Sequence, residues 1–467
     1  MSLQDRSDAR WVLLLTGGYA LVLFGVTWWH YLAWRSGALD LGLFAQALWL
    51  IAQGHLLAYS TLVGRPILAD AASWLLYPLA PLYRVGGIGL LLFLQAVLYG
   101  SGGYFLWLLG RRLRLARPVL VGLVLTYAAY PALLGANLFD FHPDALAIPL
   151  LFGAVLALEQ RRWHWYWPAV VGALLVKDTA PLVVGALAIS LLQRRHLAAA
   201  LLTAGLSGLV LFGDLGVVIP ALTHHQMAQW SYYRRWGATP TAGVENLLAH
   251  PWLWFAWAAQ ARSWLYLGII FGPLLVLPPL AGGMSSGYLW PALALLEVNL
   301  LSAFPAQTSP FDEFTVLAIP FLFASYAHGL SRPLPLAREI PSLQRLAAVV
   351  SLLVVLGWEA HTRYFALPPN GSALTAAARL VPPRAPLTAQ NFVLPHFADR
   401  RELFLPPLTG RTAPPQGYVL LDGAFSTGLL PPPALARYAA AVSLAPSCTL
   451  LFRRDGVRLF RCRPQGR

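Results

Sequence analysis

The sequence predicts an all-α polytopic membrane protein with about eleven transmembrane helices, outer interfacial helices and a small extracytoplasmic α/β domain at the C-terminal end. Of its 467 residues, 58% are hydrophobic and only 11% are charged, whereas soluble domains carry about 25% charged residues. The 18 Trp and 18 Tyr suit the aromatic belts of membrane interfaces. Basic residues form short clusters between apolar runs, which indicates membrane topology and excludes a nucleic-acid partner.

The apolar runs are the candidate spans, each of which needs about 20 residues to cross a bilayer. They are residues 11–34, 87–110, 118–133, 144–160, 164–176, 179–193, 197–222, 262–281, 288–304, 314–330 and 346–364. The fifth and sixth runs are too short to cross alone, and we interpret them as a tilted or kinked pair buried by neighbouring helices.

Basic clusters orient these spans. They are Arg6 with Arg10, Arg111–Arg117, Glu159–His164, Arg194–His196 and Arg332–Arg345. Placing all of them in the cytoplasm satisfies the positive-inside rule with one consistent alternation. The N-terminus is then cytoplasmic, the number of spans is odd, and the C-terminal domain lies outside with the distinctive polar loops.

The first outer loop holds two unusual stretches. Residues 38–58 are amphipathic, with Asp40 and Gln46 set against Leu and Trp, which predicts a helix lying in the membrane interface. Residues 66–84 are apolar but interrupted by prolines. A full span there would move Arg111–Arg117 to the outer side, so we interpret this stretch as re-entrant or interfacial.

The C-terminal part of the chain differs in composition from the rest. Residues 1–364 form the predicted transmembrane domain, and residues 365–467, which are rich in proline, form the predicted small α/β domain. Within it, Tyr418–Asp422 predicts a strand, and the segment from Cys448 to Cys462 predicts a hairpin that turns at Asp455–Gly456.

The hairpin carries both cysteines of the chain, Cys448 and Cys462. A three-residue loop would set them opposite each other, close enough for a disulfide, whereas a two-residue loop would place them on opposite faces. An oxidising outer compartment permits the bond. Both outcomes stay open at this point.

Asp40, directly after the first span, has two interpretations. Partial burial beneath the headgroups would suit it to accept the proton of a hydroxyl group as a general base. Alternatively, it is the N-cap of the interfacial helix, since Asp is a preferred capping residue. One residue can do both.

The motif NLFDFHPD places Asp140, His142 and Asp144 within five residues at the outer end of a span. Carboxylates and imidazole bind divalent cations, so a divalent metal is a candidate ligand although no cofactor is assigned. The alternative is structural, because Asp144 after Pro143 is a natural helix N-terminus.

Lys177 and Asp178 lie between two short apolar runs. A lysine at that depth is costly unless it is paired or binds an anion. Lys177 therefore either contacts a lipid phosphate or forms a structural pair with Asp178 or another carboxylate.

The fourth outer loop is rich in aromatic residues and holds His224, His225, Arg234 and Arg235. Arginine grips phosphate, and aromatic rings stack on sugar faces, which favours a substrate-binding role. The same residues could instead form an interfacial belt that contacts anionic lipids.

Several motifs resemble an uncharacterised bacterial family of multi-spanning membrane proteins that carries a domain of unknown function. They are DLGLFAQALW, LAPLY, YPALLGANLFDFHPDALAIPLLF, LLVKDTAPLVV and AQNFVLPHFADRRELF, in this order over residues 30–425. That family in turn resembles the C-type (GT-C) glycosyltransferases, which use a polyprenyl-phosphate-linked sugar and keep an essential acidic residue in the first outer loop.

The resemblance implies roles for individual residues. Asp40 matches the family's DLG motif and falls where the C-type enzymes keep their base, and the other positions that match the family are Asp70, Asp140, His142 and Lys177.

The sequence also departs from the family pattern. His and Phe usually follow the acid at position 70, but Ala71 and Ala72 stand here, and Asp178 replaces the usual Glu. Asp312 and Glu313 stand where the family often has His and Tyr. These departures imply changed specificity or reduced activity.

The leading hypothesis is therefore a membrane-embedded glycosyltransferase on the outer face of the bacterial cytoplasmic membrane. Asp40 would deprotonate an acceptor hydroxyl, and Lys177, with His142 or Arg65, would offset charge on the leaving polyprenyl phosphate. The alternatives are a lipid or polyol transporter or flippase, and a non-catalytic membrane scaffold. The sugar and the acceptor are not identified by the sequence.

Overall fold

The computed structural model of the chain describes residues 3–223, 228–333, 338–407, 416–424, 429 and 431–463. Within these ranges the protein is mostly helical, with a small sheet near the C-terminal end. The largest group of buried apolar side chains lies among the helices, and smaller groups lie beneath the first loop and inside the sheet domain.

The α-helices are α1 (Leu3–Leu32), α2 (Leu43–Ala52), α3 (Ile67–Ala71), α4 (Leu76–Arg112), α5 (Arg117–Ala128), α6 (Pro131–Leu138), α7 (Ala147–Glu159), α8 (Trp163–Leu174), α9 (Ala180–Gln193), α10 (Leu197–Gly213), α11 (Ile219–Thr223), α12 (Pro240–Ala249), α13 (Ala261–Phe271), α14 (Leu277–Ser286), α15 (Leu289–Leu301), α16 (Ile319–Leu330), α17 (Ile340–His361), α18 (Gly371–Ala378) and α19 (Pro432–Leu444). The strands are β1 (Tyr59–Ser60), β2 (Arg65–Pro66), β3 (Leu387–Ala389), β4 (Leu403–Phe404), β5 (Gly417–Asp422), β6 (Cys448–Arg454) and β7 (Val457–Cys462).

Multiple helices of the described ranges are long and apolar enough to cross a bilayer. The 6 segments are Ala9–Leu32, Leu76–Arg112, Arg117–Leu138, Leu197–Thr223, Glu313–Leu330 and Ile340–His361, and α13 with α14, bent by 83°, makes a seventh if the pair is one span. Helices also occupy the remaining predicted spans, but α7, α8, α9 and α15 have only 13, 12, 14 and 13 residues. The multi-pass architecture is confirmed, and the count of eleven stays a prediction.

The segment expected to be an interfacial helix is largely buried within the protein. A single π-helical turn, Ala38–Gly42, leads into α2, and most residues of both are buried. The polar side of α2 faces protein and not water: the Gln46 amide accepts from the Ser60 hydroxyl at 2.6 Å and donates to the Arg400 carbonyl at 3.1 Å. The C-terminal domain therefore supplies the polar partners that water was expected to supply, and the position of α2 in the membrane interface stays a prediction.

The proline-containing stretch 66–84 contributes α3 and the first turns of α4. Helix α4 continues to Arg112 but is broken at Gly87, whose backbone angles are φ 56° and ψ −149°. Only glycine adopts this region readily. The predicted span 87–110 thus begins at a real kink.

The C-terminal sheet has five strands in the order β4-β3-β5-β7-β6. Strand β3 is parallel to β4 and to β5, whereas β7 is antiparallel to β5 and to β6. The predicted strand at Tyr418–Asp422 and the predicted hairpin are both confirmed. Helix α19 packs against this sheet, and its buried Leu435, Tyr438 and Val442 contribute to the small core there.

The hairpin has the two-residue loop Asp455–Gly456 and nevertheless joins Cys448 to Cys462 by a disulfide. Near the turn, Arg454 pairs with Val457. A bulge between Leu450 and Phe452 shifts the register, so that Cys448 faces Cys462 at the far end. One extra residue in one strand reverses the expected effect of loop length on the cysteines.

The sheet domain is docked on the first loop through the motif that contains Pro395 and His396. The ring of His396 stacks on Tyr31 and Trp34, with centroids 4.2 and 3.8 Å apart. Tyr83 donates to Asp399 at 2.7 Å. Two sequence motifs separated by more than 300 residues therefore form one structural unit.

Candidate active site

Asp40 lies in the π-helical turn that connects α1 to α2. The backbone N–H of Gly37 donates to Asp140 Oδ2 at 2.6 Å, and that of Ala38 donates to Asn391 Oδ1 at 2.9 Å. Gly37 occupies the N-cap position, and no side chain of the described ranges caps this turn. The capping role considered for Asp40 is therefore not present, and its carboxylate, with 27% side-chain exposure, is left to other partners.

His142 connects Asp40 to a second carboxylate. His142 Nε2 lies 3.4 Å from Asp40 Oδ1 and 3.8 Å from Glu313 Oε1. Burial lowers the pKa of His142, but the nearby carboxylates of Glu313 and Asp40 outweigh it and raise the pKa to about 9. The imidazole is therefore a cation held between two carboxylates at neutral pH.

The side chain of Gln95, in α4, holds the loop that carries His142 in position. The Gln95 amide accepts from the His142 backbone N–H at 2.9 Å and donates to the Asp140 carbonyl at 3.0 Å. Asp140 has a left-handed φ of 105°, which is unusual for a residue with a Cβ and reflects constraint by its surroundings.

Lys177 is the second cation of the site. Its Nζ lies 3.2 Å from Asp144 Oδ1 and 5.2 Å from the centre of the Phe314 ring. Burial lowers the pKa of Lys177, but Asp144 and Glu313 raise it above its usual value. The structural pairing considered for Lys177 is thus present, with Asp144 as the partner, and its side chain keeps 15% exposure.

Carboxylates outnumber cations in this group, and some of them retain a proton. Burial and the neighbouring charge of Asp40 raise the pKa of Asp140 to about 8. Burial also raises the pKa of Asp178 and of Asp312 to about 7. In a poorly hydrated site, protonation relieves repulsion between like charges.

Arg65 and Asp70 form an ion pair beside this group, with 27% and 19% side-chain exposure. The pair is tied to Lys177 through the chain, because the Asp178 N–H donates to the Ala71 carbonyl at 3.1 Å. Ala72 has a left-handed φ of 44° and ends α3. The family's usual His and Phe are replaced here by a tight turn of small residues.

Most predicted site residues therefore converge, but the fourth loop does not join them in full. Arg234 and Arg235 are exposed. Arg235 donates to the Leu301 carbonyl at 2.7 Å, and its guanidinium lies over the Trp236 ring at 4.5 Å. His224 and His225 lie outside the described residues.

A sequence profile for a family of predicted membrane proteins, DUF2079, matches residues 31–431, which is most of the chain. The chain belongs to the DUF2079 family. The resemblance to an uncharacterised membrane-protein family is thereby confirmed. No curated protein matches the sequence.

Two solved structures resemble this DUF2079 protein. Arabinofuranosyltransferase AftD from mycobacteria matches with a TM-score of 0.52 and 14% identity, over 98% of this chain and 40% of the AftD chain. ArnT from Cupriavidus metallidurans in the apo state matches with a TM-score of 0.52 and 14% identity, over 97% of this chain and 98% of the ArnT chain. This chain therefore spans about two fifths of the AftD chain. At such identity the likeness shows the fold alone, which is GT-C-like, as the resemblance implied.

The DUF2079 site includes two residues that sequence reasoning did not select. Glu313 was noted only as a departure from the family, yet it is buried against His142, and its Oε2 has no hydrogen-bond partner among the residues that the structure describes. Asn391, from the sheet domain, holds the Asp40 turn. Asn391 belongs to the family motif AQNFVLPHFADRRELF, and this membership is the sequence signal that could have identified it as a site residue.

A second polar group lies at the opposite end of the DUF2079 helices. Glu159 Oε1 accepts from Arg194 at 2.5 Å and from Tyr288 at 2.7 Å, and lies 3.1 Å from His328 Nε2. Helices α7, α9 and α16 each begin near the Asp40 group and end at this one. Helices of this length separate the two groups by about 20 Å.

The divalent cation predicted from the sequence would need several ligands close together. Among the residues that the structure describes, no three or more His, Cys, Asp or Glu side chains are grouped so that they could hold one metal ion. The metal stays a prediction from the sequence.

Proposed function

We propose that this DUF2079 protein is a glycosyltransferase that moves a sugar from a polyprenyl-phosphate donor to an acceptor on the outer face of the cytoplasmic membrane. The observation that carries the proposal is the partly exposed carboxylate of Asp40, positioned by a network of polar groups inside a GT-C-like fold. An acid at this place in the first loop is what the C-type enzymes use.

In the proposed reaction, Asp40 takes the proton of the acceptor hydroxyl. The acceptor oxygen bonds to the anomeric carbon of the donor sugar, the bond from that carbon to the phosphate oxygen breaks, and the polyprenyl phosphate leaves with the bonding electrons. A positioned base of this kind contributes about 10²- to 10⁴-fold to such a step.

Two groups support these steps. His142, a cation held by carboxylates on both sides, fixes the orientation of the Asp40 carboxylate through its Nε2. Lys177 and Arg65 are each paired with one carboxylate and remain partly exposed, so either can offset charge on the leaving phosphate.

The test is complementation of a deletion strain, read by mass spectrometry of cell-envelope glycans and lipid-linked sugars. Asp40→Asn keeps the size of the side chain but removes the base, so we expect the deletion phenotype at normal protein abundance. Asp455→Asn, at the exposed hairpin turn, is the matched control and should complement fully. Full complementation by Asp40→Asn would remove Asp40 from the mechanism. Uptake into proteoliposomes without any product would favour the transporter alternative.

A further inference from the structure

Three aromatic rings form a row that leads away from Lys177. We call this row, Phe314, Phe304 and Tyr232, the aromatic track. The rings of Phe314 and Phe304 meet edge to face with centroids 6.2 Å apart, and those of Phe304 and Tyr232 stack with centroids 4.6 Å apart. All three side chains are partly exposed. In the membrane-facing or interior parts of a bundle, such rings are normally covered by lipid or protein.

The Phe314 end of the aromatic track is charged. Lys177 Nζ lies over the Phe314 ring at 5.2 Å, which joins this end to the proposed catalytic group. The segment of the Arg65–Asp70 ion pair is tied to the same group, because the Asp178 N–H donates to the Ala71 carbonyl at 3.1 Å.

The track is held in position by the backbone. The Ala303 N–H donates to the Tyr232 carbonyl at 2.8 Å, so the fourth loop is tied to the segment that follows α15. Tyr233, the next residue, donates to Gln307 at 2.9 Å. The rings therefore belong to a surface whose backbone is held by hydrogen bonds.

Aromatic rings beside charged, hydrogen-bonding groups suit one class of ligand. The negative face of an aromatic ring attracts the slightly positive C–H face of a sugar, while ammonium and carboxylate groups bind hydroxyls as donor and acceptor. A lipid chain would gain from the rings but would meet charge at the Lys177 end, which costs free energy if the charge loses water.

We infer that the aromatic track is a carbohydrate subsite and that the acceptor of this enzyme is a glycan, bound by at least one sugar ring beyond the reacting hydroxyl. This inference rests on the proposed function, which makes Asp40 the base for the acceptor hydroxyl. The acceptor would then extend from Asp40 past Lys177 to Tyr232. Binding of sugar to the track is nevertheless measurable without any transfer.

The experiment is saturation-transfer NMR on the purified protein in lipid nanodiscs, with methyl glycosides of common hexoses and pentoses as probes. We expect at least one glycoside to bind equally well to the native chain and to Asp40→Asn. Tyr232→Ala and Phe304→Ala should each weaken that binding about tenfold, whereas Tyr232→Phe, which keeps the ring, should weaken it much less. Phe255→Ala, an exposed ring at 68% outside the track, is the matched control and should have no effect.

Three results would overturn the inference. They are no glycoside binding to the native chain, glycoside binding that is unchanged in both alanine variants, and glycoside binding that Phe255→Ala weakens as much as the alanine variants of the track do. If the alanine variants lose affinity for a short prenyl phosphate instead of for glycosides, the track holds the lipid carrier and the glycan assignment is wrong. Because Asp40→Asn is included in the binding series, failure of the subsite is distinguishable from failure of the catalytic proposal.

Discussion

At the residue scale, the absence of a side chain at Gly37 determines where the Asp40 carboxylate can lie. A Cβ at position 37 would lie 2.7 Å from Asp40 Oδ2 and 3.6 Å from Asp140 Oδ2. The first distance is shorter than real carbon–oxygen contacts, so the Asp40 carboxylate would have to rotate. Glycine is therefore needed here for close approach and not for an unusual backbone angle, since φ is −82°.

We predict that Gly37→Ala lowers transfer activity by roughly ten- to a hundredfold while the protein still folds, because displacement of a catalytic group by about 1 Å has an effect of this size. Product formation in the complementation assay and the melting temperature in detergent measure the two effects. Gly205→Ala is the matched control: a Cβ there meets nothing within 4 Å, and activity should be unchanged. Undiminished activity of Gly37→Ala would show that the observed position of Asp40 is not the working one.

The charges around His142 predict a loss of stability at alkaline pH. The pKa of His142 is about 9 against an ordinary 6.5, so its stabilising contribution is complete below pH 6.5 and is lost as the pH rises through 9. The pKa of Asp140 is about 8 against 3.8, so the folded state holds a proton that the unfolded state has released, and stability again falls as the pH rises to 8. Both groups act in the same direction.

We therefore expect a lower melting temperature at pH 9.5 than at pH 6.5, and a smaller decline in His142→Gln. A change in pKa from 6.5 to about 9 corresponds to about 3 kcal/mol in the pH-dependent part of the free energy of unfolding. His250→Gln, at an exposed position, should keep the native pH profile. An identical slope in His142→Gln and the native chain would mean that His142 is not held as a cation.

Sequence could predict the identity of several site residues but not their partners. Asp40, His142 and Lys177 stood out because charged groups at the ends of apolar runs are costly and rare. Lys177 pairs with Asp144 and not with its neighbour Asp178. This choice of partner depends on how α7 and α9 pack, and no local sequence pattern predicts that packing. Glu313 was hidden for the same reason, since its partner His142 is far from it in the chain.

At the element scale, the bulge in the C-terminal hairpin decides whether the two cysteines can meet. Side chains alternate between the faces of a strand, so one added or removed residue moves every later side chain to the other face. Cys448 and Cys462 have Cα atoms 4.0 Å apart only because the bulge between Leu450 and Phe452 absorbs one residue.

We predict that deletion of Leu451 removes the bulge but keeps the disulfide, because Leu450 then adjoins Phe452 and still pairs with Phe460, so that Cys448 still faces Cys462. Alkylation with and without reductant, followed by intact-mass measurement, should find no free thiol in the native chain and none in the deletion variant. The double variant Cys448→Ser with Cys462→Ser removes the bond and keeps the bulge, and we expect about 3 kcal/mol less stability in the sheet domain for a closed loop of this size. Two free thiols after the deletion would contradict the register described here.

The boundaries of helices and strands were predicted well where a glycine interrupts a helix or where a clear apolar run marks a strand. Gly87 marks a kink, and the strand at Gly417–Asp422 follows a short, continuous apolar run whose last four positions, Val419 to Asp422, are all buried. The polar partners of α2 could not be predicted, because an amphipathic pattern shows only that one side of a helix needs such partners. Water, headgroups and the backbone of a second domain satisfy that need equally.

At the scale of the whole molecule, the sheet domain and the helical part share one site. Asn391 belongs to the segment between β3 and β4, and its side chain accepts from the backbone at Ala38, two residues before Asp40. The first loop therefore has its geometry fixed from both sides, by Asp140 within the bundle and by Asn391 outside it. The proposed acceptor would meet the rim of both parts.

The separation of polar groups to the two ends of the helices leads to a prediction about sidedness. The Asp40 group and the sheet domain lie at one end of α7, α9 and α16, and the Glu159–Arg194–His328 group lies at the other. The positive-inside rule assigns the second, arginine-rich end to the cytoplasm. Since the two native cysteines are bonded to each other, an introduced cysteine is the one free thiol available to a reagent.

We expect a membrane-impermeant maleimide to label Gln416→Cys, in the sheet domain, on intact cells. Arg162→Cys, before α8, should be labelled only after the membrane is permeabilised; both positions are exposed. The native chain is the control and should not be labelled under either condition. If Arg162→Cys reacts in intact cells and Gln416→Cys does not, Asp40 faces the cytoplasm. A donor and acceptor on the outer face would then be excluded, however well the site is formed.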